Sequence, residues 1–262
     1  MKRTLITPDL SQYPSVFHSL LRGARIYDSS CSPQARVILI DRDGGYFLKS
    51  SAPQSLKREA ELDRFFHQRG MGAEVVEYQT LEGRDWLLTR RVGGEDCTYR
   101  QYLEDPRRLC DTLAELLRAL HETSVEGCPV QDRMKDYFKT VEDNYREGLF
   151  DSSYASDFWK DPSAEELYAF VQAHKGELAS DTLLHGDYCL PNIMLDGWRF
   201  SGFIDLGNGG VGDRHVDLYW GAWTLRFNLG TDRYCQRFFD AYGKELVDAD
   251  KLCVVAASEC FG

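Results

Sequence analysis

Asp187, Asn192 and Asp205 stand at intervals in LLHGDYCLPNIMLDGWRFSGFIDLG, residues 183–207, where most neighbours are apolar. An ionised carboxylate taken out of water is costly unless it is paired or binds a metal. Asp196 and Gly197 form a strong turn signal between the strand-like runs NIML and FSGFID, which predicts an antiparallel hairpin. With a loop over 196–199, Leu195 faces Phe200 and Asn192 faces Phe203. Asp205 then lies one same-face step beyond, a diagonal of roughly 7 Å between side-chain origins. Alternation puts Asn192, Met194, Phe203 and Asp205 on one face. An amide oxygen and a carboxylate at the mouth of a hairpin suit Mg²⁺, which takes few protein oxygens and leaves other positions to water and phosphate. Asp187 sits in the loop just before, placed to meet whatever the metal holds. His185 reads as a loop-fixing residue rather than a base.

A second group lies nearer the start. Lys49 follows Phe47 by two residues, so both point to one face of a strand. Glu59 shares a helix face with Leu62 and Phe66. A carboxylate on an apolar stripe calls for a cation, and Lys49 is the expected partner; Glu61, aligned with Phe65, is the second choice. A lysine held this way is rigid enough to contact phosphate. A strand lysine paired with a helix glutamate, a separate aspartate and an Asn/Asp metal pair are the parts of a phosphoryl-transfer site.

The elements that must position these residues follow from the apolar periodicity. ARVILI and YFLKS flank the turn-forming DRDGG as a hairpin. SLKREAELDRFFHQRG reads as a helix, with Ser55 as N-cap and Gly70 as its stop. EVVEYQ and DWLLTRRV read as strands, and Gly93-Gly94 follows as a hinge. Beyond it, LCDTLAELLRALHETS, MKDYFKTVEDNYREGL, AEELYAFVQAHKGEL, VDLYWGAWTLRF, TDRYCQRFFDAYG and DADKLCVVAASE read as helices. The layout is a small β-rich lobe followed by a larger helical lobe that carries one hairpin. A cleft between two lobes is a preferred place for a ligand.

Composition narrows the partners. With 262 residues, 43% hydrophobic and 28% charged, the chain is an ordinary folded protein. A formal net charge of −11 argues against nucleic acid or an anionic membrane and permits a cationic small molecule. Neither a secretory signal nor a run long enough to cross a membrane is legible. Eight cysteines are scattered singly, with no C-x-x-C pair, which points to reduced thiols in a cytoplasm.

HGDYCLPNIML and FSGFIDLGNGGVGDRHVDL resemble the aminoglycoside phosphotransferases, in particular their 3′-phosphotransferase branch. The resemblance runs more weakly through SPQARV, YFLK, FWKDPSAEELYAF and the C-terminal SECF. It implies an α+β, bilobal, protein-kinase-like fold, with a nucleotide-binding lobe over residues 1–92 and a catalytic and substrate-binding lobe over 93–262. The implied activity is transfer of the γ-phosphate of ATP or GTP, with Mg²⁺, to the 3′-hydroxyl of an aminoglycoside, which confers antibiotic resistance. By similarity, Asp187 is the catalytic aspartate, Asn192 and Asp205 hold magnesium, and Lys49, oriented by Glu59, contacts the phosphates. Ser32 falls in the phosphate-covering turn and Phe47 stacks on the base. Arg90 and Val92 are hinge positions, with Met194 and Ile204 as the apolar floor. Asp151 and Asp157, in an acidic insertion, and the terminal Glu259 and Phe261 correspond to the substrate site.

Two departures from the family pattern bear on substrate choice. I-D-x-G-R reads I-D-L-G-N, with Asn208 in place of the arginine, and Gly262 follows Phe261. A protein kinase is a poorer match, because H-G-D replaces H-R-D and no A-P-E segment follows the metal aspartate. A kinase for choline, homoserine or a macrolide, or an inactive nucleotide-binding regulator, are the competing readings. Retention of Lys49, Asp187, Asn192 and Asp205 together counts against the last.

Overall fold

A computed structural model describes residues 3–155 and 158–262. It divides into two compact units. The first comprises the chain through Thr98 together with Pro191–Gly207; the second comprises Tyr99–Leu190 and Asn208–Gly262.

The first unit is built on a six-stranded antiparallel sheet. Its strands are β1 (Thr4–Ile6), β2 (Arg25–Asp28), β3 (Arg36–Asp41), β4 (Tyr46–Ser51), β5 (Val75–Leu81) and β6 (Arg84–Arg90), in the order β1-β2-β3-β4-β6-β5. Alternation along the strands gives it two apolar faces. Ile26, Ile38, Ile40, Leu48, Trp86 and Leu88 pack against Tyr13, Phe17 and Leu21, the last from the short helix α1 (His18–Leu21). On the other face, Leu87 packs against Leu56 and Ala60 at the start of α2 (Lys57–His67). Lys49 pairs in register with Leu87, so its side chain lies on the α2 side of the sheet.

The expected Ser55 cap is not made: the Ser55 hydroxyl donates to the Ala52 carbonyl instead. Buried Asp85 accepts the Leu56 amide at 3.1 Å, along with the Tyr78 and Thr80 hydroxyls. The helix thus takes its start from a strand carboxylate, which local sequence cannot show.

A second, three-stranded sheet orders β10-β9-β7, from β7 (Glu95–Asp96), β9 (Ile193–Asp196) and β10 (Arg199–Phe203). This pairing explains why the boundary expected at residue 92 shifts to Thr98 and why the hairpin leaves the second lobe. Glu95 and Asp96 pair with Leu195 and Met194, and the Cys97 amide donates to the Ile193 carbonyl. Gly94 is required here, since it takes φ +81 and any Cβ would overlap the Leu195 carbonyl.

The second unit is mainly helical. Its elements are α3 (Arg100–Leu103), α4 (Pro106–His121), α5 (Arg133–Glu147), α6 (Ala164–His174), α7 (His215–Leu229), α8 (Cys235–Gly243) and α9 (Ala249–Glu259), with β8 (Thr182–Leu184) paired antiparallel to β11 (Gly210–Gly212). Polar caps set the starts: Asp105 for α4, Asp132 for α5, a Ser163/Glu166 capping box for α6 and Asp248 for α9. The cysteines are free thiols, and no helix among the described residues is long and apolar enough to cross a membrane.

Candidate active site

In the first unit, Lys49 is a bridge between two carboxylates. Its Nζ lies 2.9 and 2.7 Å from the two Glu59 oxygens and 2.9 Å from Asp205 Oδ1. The expected Lys49–Glu59 pair is therefore formed, and Glu61 is not the partner. Burial alone would depress the lysine, but Glu59 and Asp205 outweigh it and hold the ammonium protonated above its ordinary range. Burial raises the Glu59 carboxyl, and Lys49 works against that rise. Asp63, one helical turn on and 4% exposed, is raised well above the carboxylate range by burial and by repulsion from Glu59.

The hairpin register differs from expectation in one place. Leu195 pairs with Phe200 as expected, but a bulge between Phe200 and Gly202 sets Phe203 opposite Ile193. The Ile204 amide then donates to the Asn192 carbonyl at 3.0 Å, so Ile204, not Phe203, lies opposite Asn192. Asp205 leaves the strand altogether, in a left-handed conformation with φ +60. Its side chain is aimed by that turn rather than by the pleat, and it remains 55% exposed beside Lys49. Asn192 is buried. Two hard oxygen donors, one an exposed carboxylate, match an ion that keeps most of its positions for water and phosphate. Among the described residues no three His, Cys, Asp or Glu side chains converge into a closed metal cage.

The remaining nucleotide-site candidates fall in the same unit. Ser32 is exposed in the turn between β2 and β3, and Phe47 is half-buried two residues before Lys49. Arg90 is exposed, with its guanidinium 4.4 Å from the Tyr46 ring centre. Val92 lies against Gly202, Met194 is 3% exposed and Ile204 is half-buried.

In the second unit, Asp187 sits on a loop held through its backbone. Wholly buried Asp217, on α7, accepts the His185 amide on Oδ2 and the Gly186 amide on Oδ1, each at 2.8 Å. His121 Nε2 lies 3.2 Å from the same Oδ2, and its Nδ1 lies 2.8 Å from the Tyr242 hydroxyl. A neutral imidazole protonated on Nε2 satisfies every group: it donates to Asp217 and accepts from Tyr242. Burial depresses His121, against the pull of Asp217. Gly186 takes φ +84, and a Cβ there would overlap the Asn208 carbonyl. His185 Nδ1 accepts the Asp187 amide at 3.3 Å, in keeping with its reading as a loop-fixing residue.

Sequence reasoning assigned no role to Asp217, His121 or Tyr137. The available signal was a charged or polar residue on an otherwise apolar helix stripe.

Glu259 ends α9 and is 7% exposed, accepting the Tyr137 hydroxyl at 2.8 Å. Burial pushes its carboxyl up to about 7, with Tyr137, Trp220 and Arg133 resisting and Asp187 adding to the rise. Phe261 follows two residues on. At 1% exposure it packs among Phe150, Tyr145 and Tyr168, so its ring supports the C-terminal segment from the core. Asp151 is exposed, its amide donating to the Cys260 carbonyl. Asp157 lies outside the described residues.

Comparison with known proteins decides the family. Residues 25–253 match the model of the phosphotransferase enzyme family. The chain belongs to this family. A probable aminoglycoside 3′-phosphotransferase of Lactococcus lactis is 46% identical over 254 residues, covering 97% of each chain. A crystal structure of an aminoglycoside-3′-phosphotransferase of type VIII superposes with a TM-score of 0.75 at 26% identity, over 96% of each chain. The fold also matches that of an aminoglycoside phosphotransferase from Streptomyces rimosus in complex with ADP and streptomycin, with a TM-score of 0.74 at 23% identity, over 97% of this chain and 99% of that one. The α+β kinase-like fold and the reading as a small-molecule kinase are thereby borne out.

Proposed function

We propose that the protein transfers the γ-phosphate of ATP or GTP to the 3′-hydroxyl of an aminoglycoside, inactivating the antibiotic in the cytoplasm. The observation that carries this reading is Lys49 bridging Glu59 and Asp205, residues far apart in sequence that converge into a rigid ammonium beside an exposed carboxylate. A strand lysine held by a helix glutamate beside a metal-binding aspartate is the arrangement with which kinases handle phosphate.

Lys49 contacts the α- and β-phosphates, with Glu59 fixing its position. Ser32, Phe47, Arg90, Val92, Met194 and Ile204 surround the nucleotide. Asn192 and Asp205 hold Mg²⁺, which when bound neutralises charge on the phosphates. Asp187 orients the acceptor hydroxyl and accepts its proton late in the transfer. Asp217 fixes the backbone of residues 185–186 directly ahead of it. Asp151, Asp157 and Glu259 are carboxylates for the ammonium groups of the substrate. The first unit therefore binds the nucleotide and the second the acceptor. Phosphoryl transfer asks little covalent work of the protein, so positioning and charge carry the rate.

The test is nucleotide consumption by purified protein on addition of kanamycin or neomycin, with phosphate located on the product by NMR. No turnover with any aminoglycoside bearing a 3′-hydroxyl would overturn the substrate assignment.

A further inference from the structure

The turn after I-D-L-G carries Asn208 where the family pattern has an arginine, yet a guanidinium reaches that turn from elsewhere. Arg133 is the first residue of α5, and its Nε donates to the Asn208 carbonyl at 2.8 Å. That carbonyl is packed so tightly against Gly186 that no side chain fits there. The Gly186 amide in turn is anchored by Asp217, and Asp187 follows directly. The segment around Asn208 is held from two further sides. Gly210 pairs with Leu184, just ahead of the catalytic loop, and the Val211 amide donates to the carbonyl of Val130, just ahead of α5. Arg133 also lies 5.8 Å from the Tyr137 ring centre, and its charge acts on both Tyr137 and Glu259. All of these contacts lie within the second unit.

We infer that Arg133 is a positioning residue of the phosphoryl-transfer site: from the start of α5 it clamps the Asn208 carbonyl against Gly186, fixing the loop that presents Asp187. The inference rests on the reading of Asp187 as the catalytic aspartate. A clamp of this kind acts on the geometry of the acceptor, so its loss falls on kcat and leaves nucleotide affinity alone.

Arg133→Ala and Arg133→Lys separate this role from ordinary structural support. In steady-state assays with an aminoglycoside that the wild type phosphorylates, Arg133→Ala is expected to lose about tenfold to a hundredfold in kcat, with nucleotide KM within about threefold of wild type. Arg133→Lys keeps the charge but not the planar donor, and should fall between. It serves as the test variant if the alanine form does not fold. Wild-type kcat in both variants, or a nucleotide KM that rises as much as kcat falls, would overturn the clamp. If the wild type phosphorylates no aminoglycoside, it is the substrate reading that fails. The clamp is then judged by hydrogen exchange alone: Arg133→Lys should speed exchange in residues 183–190 and 206–212, and unchanged protection there would overturn it.

Discussion

Asp217→Asn tests how the catalytic loop is held. The substitution is nearly isosteric, but it exchanges one carboxylate oxygen for an amide nitrogen. Placed at the Oδ2 position, that nitrogen would meet both the His185 amide and His121; placed at Oδ1, it meets only the Gly186 amide. The second arrangement is the less costly, and it leaves the amide next to Asp187 facing a donor. A hydrogen bond to a charged group contributes about 1.5–3 kcal/mol, and the remaining bonds weaken as the charge is lost, so a destabilisation of about 3 kcal/mol is expected. At roughly 2–4 °C per kcal/mol, that lowers the Tm by about 6–12 °C. Displacement of Asp187 by an ångström would reduce kcat about a hundredfold. Nucleotide affinity, measured by calorimetry, should change little, because Lys49, Glu59 and Asp205 belong to the first unit. Wild-type kcat and Tm in a folded Asp217→Asn protein would refute the proposed support.

Further outcomes follow at three residues of the site. Glu59→Gln keeps a hydrogen bond to Lys49 but removes the buried charge, a difference of about 1–2 kcal/mol, so nucleotide KM should rise roughly tenfold in a steady-state assay. Glu259, raised from its ordinary value to about 7, binds more protons folded than unfolded between those values. Stability should therefore fall as pH rises from about 4.5 to about 7, and Glu259→Gln should flatten that part of a Tm-against-pH curve. Over the same range its ionisation should tighten binding of a cationic aminoglycoside, seen as a falling substrate KM that the glutamine variant does not show. Asp205→Ala should raise the Mg²⁺ concentration needed for half-maximal turnover in chelator-treated protein; an unchanged requirement would remove Asp205 from the metal site.

Much of this was legible in the sequence because it rests on period and spacing. The Lys49–Glu59 pair follows from one strand alternation and one helix stripe, and the 193–203 hairpin follows from its Asp-Gly turn. What escaped depends on contacts remote in sequence. The bulge in β10 redirected Asp205 through a left-handed turn that alternation does not anticipate. Leu56 is capped by Asp85 rather than Ser55, because a strand folded later in the chain supplies the acceptor. Asp217, His121 and Tyr242 come from three helices, α7, α4 and α8, so no local pattern joins them. The ring contacts of Phe261 with Tyr145 and Phe150 likewise join residues more than a hundred positions apart, which no local pattern shows.

The proposed chemistry is tested most directly by comparing wild type with Asp187→Ala on a pair of aminoglycosides with and without the 3′-hydroxyl. The expected result is nucleotide consumption by the wild type with the hydroxylated compound only, and none by the variant although nucleotide still binds it. Turnover surviving Asp187→Ala, or equal turnover of both compounds, would contradict the assignment.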